Sequence, residues 1–210
     1  MISPQDIQVT KTDLTLFSTV LVVSNLLENQ LLNSALFNEK WMNLAVATLL
    51  GVALHGLLTN KLSTMVNTQL NLDNRGINQS VYDFFKFGTI FVCQNAITSY
   101  IENRPVVFDK KWAMTSGLTI AGYAAFNMLS DNVPLVNKKY QPLLNDLIKV
   151  SMGALAATYF VSGTVNKGDL LSLAALLSGF VAFHMVTKQY VVPEENFANL
   201  GGHSILPKTK

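Results

Sequence analysis

Two pairs of residues combine type and spacing in a way that could do chemistry. Asp83 with Lys86 and Asp146 with Lys149 each place a carboxylate and an ammonium three residues apart. On a helix that spacing puts both groups on one face, so each pair can form locally at the edge of an apolar segment. A coupling-ion role would use the same groups. His55 and His184 are the next candidates. A metal site or proton relay needs convergent partners, and no acidic residue lies deep in the apolar runs that carry these histidines. Cys93, the single cysteine, sits inside an apolar run and reads as a small hydrophobe rather than a nucleophile. Asn25 and Asn95, with Gln94 and Thr158 near or opposite, place polar groups in apolar surroundings, where each needs a hydrogen-bond partner. They can form a polar track along an axis between helices, or they can bond neighbouring helices and fix their packing. The chain has no glycine-rich phosphate loop with its lysine, no His-Glu-x-x-His, no paired cysteine ligands and no Gly-x-Ser-x-Gly. No catalytic residue, cofactor site or metal site is therefore assigned, and a non-enzymatic protein is expected.

The elements that must position these residues are long apolar helices. Half of the 210 residues are hydrophobic and 13% are charged, against about 25% charged in ordinary soluble domains. Charged residues divide the chain into six uncharged stretches: Leu14–Leu27, Trp41–Asn60, Phe87–Ile101, Trp112–Ser130, Val150–Asn166 and Leu170–Thr187. The even-numbered stretches approach the roughly 20 residues that cross a bilayer core. The shorter odd-numbered ones reach that length with flanking charges that extend to the headgroups. Neither Leu44–Leu58 nor Leu170–Val186 has the polar face of a surface helix. The runs do not alternate, which excludes a transmembrane β-barrel. An all-α polytopic membrane protein with six transmembrane helices is expected.

Those helices repeat. Phe37-Asn38-Glu39-Lys40-Trp41 returns as Phe108-Asp109-Lys110-Lys111-Trp112, and Gly51–Leu57 matches Gly122–Met128 and Gly179–Met185. On the odd helices Asp13, Phe17, Thr19 and Asn25 align with Asp83, Phe87, Thr89 and Asn95. The third copy keeps Asp146 and Lys149 but has Thr158 for the asparagine and Asp169 for the tryptophan. Such internal periodicity marks a repeated supersecondary unit. The expected organisation is a polar N-terminal segment 1–12, hairpin repeats over 13–70, 80–137 and 143–192, and a polar C-terminal tail 193–210. Each copy holds two spans, so the three hairpins are parallel repeats about a pseudo-threefold axis. Three parallel hairpins invite comparison with mitochondrial carriers, but no odd helix here ends with that family's Pro-x-acidic-x-x-basic signature.

Small residues at four-residue spacing permit close helix approach: Ala47 with Gly51, Gly117 with Ala121 and neighbouring Gly122, and Ala175 with Gly179. Trp41 and Trp112 are expected at the membrane interface as anchors, and so are Lys86 and Lys149. Basic residues are more numerous on the side that holds both termini (Lys11, Lys61, Arg75, Lys138 and Lys139 among them) than on the hairpin-loop side. This bias puts the N- and C-termini in the cytoplasm. Met1 to Asp13 lacks the pattern of a cleaved signal, so the first helix is expected to direct its own insertion. The net charge of +2 and the scattered basic residues argue against nucleic acid.

These features point first to a structural, scaffolding or anchoring protein in a larger membrane-associated assembly. Its partners would be the lipid bilayer and other proteins, in an organelle membrane or the membrane of an enveloped or internal-membrane virion. The alternative is a small channel or carrier with Asn25, Asn95 and Thr158 near the axis.

Overall fold

In the computed structural model, residues 4–70, 74–130 and 141–187 are described, and among them the chain is helical with no strand. The helices are α1 (Pro4–Leu32), α2 (Glu39–Leu54), α3 (Asn60–Leu70), α4 (Arg75–Ile101), α5 (Lys110–Ser130), α6 (Gln141–Ser162) and α7 (Lys167–Thr187). One π-helical turn, His55–Thr59, joins α2 to α3, so the two run on as a single rod. Segment 1–12 is not a separate element: helix α1 already begins at Pro4, a residue suited to the first helical position because it lacks the N–H that would go unused there. The tail 193–210 and the linker positions 131–140 lie outside the described residues.

Local hydrogen bonding sets the three hairpin loops. The odd helix of each hairpin, its first (α1, α4 and α6, with α2, α5 and α7 the even ones), is followed by a residue in the left-handed region: Asn33 at φ 53°, Asn103 at φ 52° and Gly163 at φ 77°. These are residue types that adopt the conformation at low cost. Each even helix starts on an Asn or Asp cap. Trp41 N–H donates to Asn38 Oδ1 at 2.8 Å, and Trp112 N–H donates to Asp109 Oδ1 at 2.7 Å. In the first two copies the preceding phenylalanine packs edge-on against that tryptophan, Phe37 on Trp41 at 4.9 Å and Phe108 on Trp112 at 4.8 Å between centroids. The third copy replaces this clasp with a reciprocal capping box: Asp169 N–H donates to Asn166 Oδ1 at 3.0 Å, and Asn166 N–H returns a bond to Asp169 at 2.9 Å. Asp169 thus stands for tryptophan without loss of the helix start.

The even helix of each hairpin packs most extensively on the odd helix of the next: α2 on α4, α5 on α6, and α7 on α1, which closes the ring. The three repeat glycines make these contacts. A Cβ at Gly51 would lie 2.9 Å from Ile90 Cα, one at Gly122 2.6 Å from Gly153 Cα, and one at Gly179 2.6 Å from Val20 Cα. Val20, Ile90 and Gly153 hold one register position, seven residues after Asp13, Asp83 and Asp146. The backbones approach so closely that only glycine fits on the even helix. Ala47 and Ala175 are fully buried in the same seams. Gly117 and Ala121 face outward, and a Cβ at Gly117 would meet nothing within 4 Å.

Leu44, Val46, Leu50, Val92, Phe160 and Val186 are exposed on the outside, while Asp13, Asp83 and Lys86 are buried within. Two stretches are apolar and long enough to cross a membrane: Glu39–Leu58 with mean hydropathy 1.6 and Lys167–Thr187 with 1.9.

Candidate functional site

Asp13 on α1, Asp83 on α4 and Asp146 on α6 occupy one register position of the three odd helices, and all three line a single cavity of about 420 Å³. Lys86 and Lys149, one turn further along α4 and α6, line it too, as do Tyr82, Tyr123, Phe17, Phe180 and His184. All three hairpins contribute, so the cavity lies where they converge. Its walls come from the early part of the odd helices and from Phe183 and His184 near the end of α7. The start of α1 and the end of α7 are therefore at the same end of the bundle.

The lysines do not pair with the aspartate three residues before them. Lys86 Nζ donates to Asp13 Oδ1 at 2.6 Å, and Lys149 Nζ bonds Asp83 Oδ2. Each ammonium thus crosses from its own helix to the aspartate of the preceding hairpin. The ion pairs tie one copy to another, and Lys86 and Lys149 point into the bundle rather than anchoring its outer surface. Their ammonium groups lie over aromatic rings, with Lys86 Nζ 5.8 Å from the centres of Phe17 and Tyr82 and Lys149 Nζ 5.7 Å from that of Tyr123.

In the second and third hairpins the aspartate also has a partner from its own hairpin. Asn127 on α5 donates to Asp83 Oδ2 at 2.7 Å, and His184, at the matching position of α7, bonds Asp146 Oδ2 through Nε2 at 2.7 Å. In the first copy that position is Gly56, packed against Thr10, and Asp13 Oδ2 has no hydrogen-bond partner. Tyr82 Oη and His184 Nδ1 are likewise buried without one. His55 sits on the π-helical turn, buried and edge-on to Tyr82 at 5.3 Å between centroids. Single π turns inside helices recur at functional sites because they shift the register of the side chains that follow. No group of three or more potential metal ligands occurs among the described residues.

The asparagines that suggested a polar track do a different job here. Asn25 Oδ1 accepts from Phe37 N–H at 2.9 Å, and Asn95 Nδ2 donates to Val107 O at 2.8 Å. Each ties its helix to a loop residue twelve positions on. Thr158 stands at this place in the copy whose α6–α7 connection, residues 163–166, is the shortest; so short a connection has no comparable stretch of backbone to hold. None of the three lines the central cavity. Asn95 and Gln94 border a separate cleft near the loops, and Gln94 Nε2 donates to Thr48 Oγ1 at 2.6 Å across the α2–α4 seam.

The shared aspartate was visible as a repeat, and so were Lys86 and Lys149. Tyr82, Tyr123, Asn127 and the pairing of His184 with Asp146 were not singled out from the sequence. A usable signal was present: Asn127 and His184 both stand five residues after a repeat glycine. Comparison of the chain with protein-family models, curated proteins and solved structures finds no match.

Proposed function

We propose that the chain crosses the bilayer six times, with the α2–α3 rod counted as one span, and that it is a carrier or channel which takes a small polar solute into the central cavity. The carrying observation is the cavity of about 420 Å³ lined by three aspartates, two lysines and a histidine where the hairpins meet. Helices in lipid associate by close packing, and ionisable groups placed there are expensive unless they serve a pathway or a ligand. A scaffold built only from packed hairpins has no use for such a hollow. The volume also falls within the roughly 300–1,000 Å³ of small-molecule sites. The apolar exterior and buried charge support the six-span reading, since in water that arrangement would expose hydrocarbon and strand the ions. The excess of basic residues beside the chain ends supports a cytoplasmic placement for the cavity end of the bundle.

Flux into liposomes tests the function. Purified protein should accelerate uptake of at least one member of a panel of small cationic, anionic and neutral solutes, and Asp83→Asn should reduce that uptake. No accelerated uptake of any solute by correctly inserted protein would overturn transport and restore the scaffolding reading, in which the chain anchors other proteins in a membrane-associated assembly.

A further inference from the structure

The threefold pattern gives each cavity aspartate two neighbouring places. One receives the lysine of the next hairpin, and the other receives the side chain five residues after the repeat glycine of its own hairpin. Asp83 has both, in Lys149 and Asn127. Asp13 has the lysine, Lys86, but the residue in the other place is Gly56, which has no side chain to offer. Asp146 has His184, which takes the place of Asn127, but the residue that should bring the lysine is Leu16. The Asp146 side chain is accordingly 32% exposed, against 1% for Asp13 and 3% for Asp83.

We infer that the cavity binds an organic cation whose ammonium group occupies the vacant third lysine position beside Asp146. This deepens the transport reading by naming the class of solute. Several features fit such a guest. The lining holds three carboxylates against two ammonium groups. Asp13 Oδ2 and His184 Nδ1, in residues 0% and 2% exposed, lack hydrogen-bond partners. A carboxylate oxygen accepts hydrogen bonds, so Asp13 Oδ2 calls for a donor, and an ammonium carries three. Phe180 lines the cavity at the position that Tyr123 holds in the second copy, where the ring lies 5.7 Å from the Lys149 ammonium. A cation beside Asp146 therefore meets an aromatic wall as well as a carboxylate. The cavity is larger than a bare metal ion needs and has an apolar side in Leu16, Phe17 and Phe180, which suits a cation with a hydrocarbon body.

The probe is n-butylammonium, which reproduces the end of a lysine side chain, titrated calorimetrically into detergent-solubilised full-length protein at fixed ionic strength. Saturable binding is expected, with none for 1-butanol or butanoate. Leu16→Lys supplies the missing ammonium covalently. It should weaken n-butylammonium binding roughly tenfold or more while raising the melting temperature. Asp146→Asn should weaken it similarly. Undiminished binding by Leu16→Lys overturns the assignment, and so does equal binding of 1-butanol. Competition by sodium at equal concentration would overturn the organic cation in favour of an inorganic one. Detergent binding needs no translocation: binding without liposome flux keeps this site and removes the transport reading, while flux of other solutes without amine binding does the reverse.

Discussion

Without the Lys86 ammonium, Asp13 would be a carboxylate with a side chain 1% exposed and no counter-charge. Breaking one side of a buried pair leaves a charge that neither water nor protein solvates, whereas removing both sides leaves an apolar contact. Lys86→Met is therefore expected to lower stability by about 3–5 kcal/mol in chemical or thermal unfolding in detergent. Adding Asp13→Leu to the same chain should recover most of that loss. An unchanged melting curve for Lys86→Met alone would show that the pair does not hold α1 to α4. The aspartates and lysines were readable as a repeat. Their three-residue spacing, however, suggested local pairs, because sequence distance reports neighbours on one helix and nothing about the neighbouring hairpin.

At the scale of the element, the repeat glycines and the helix ends carry the architecture. A Cβ at Gly122 would lie 2.6 Å from Gly153 Cα, while one at Gly117 would meet open space. Gly122→Val should cost roughly 1–3 kcal/mol or more through forced separation of α5 and α6, while Gly117→Ala should be neutral or stabilising by up to about 1 kcal/mol, since alanine favours the helix over glycine. Equilibrium unfolding of the two variants side by side checks the contrast, and equal effects would contradict the seam. Both glycines belong to small-residue spacings in the sequence. Periodicity alone could not separate the one in the seam from the one facing out, because helix α5 is apolar nearly all round.

At the scale of the whole molecule, large apolar side chains are exposed among the described residues. Leu50, Val92 and Phe160 are 47%, 44% and 63% exposed, while the charges converge on the cavity. Cysteines substituted at these three positions, in a Cys93→Ser background, should react in proteoliposomes with a lipid-soluble maleimide and resist a membrane-impermeant one. Ready labelling by the impermeant reagent would place those faces in water and contradict the six-span reading. Two stretches are long and apolar enough to cross a membrane; α4, at 27 residues, is longer but carries charged groups that build the cavity, such as Asp83 and Lys86.

What the sequence determined by itself was the threefold repetition and its local consequences. The caps at Asn38, Asp109 and Asn166 depend on neighbours within a turn, and short-range hydrogen bonding acts through those neighbours. The tertiary structure decided which charges meet. Lys86 finds Asp13 across 73 residues, because α7 closes on α1 and brings the three odd helices around one hollow. The same closure leaves Asp146 with a histidine and no lysine, so a departure legible only as Leu16 in a list of residues becomes an open place beside a carboxylate.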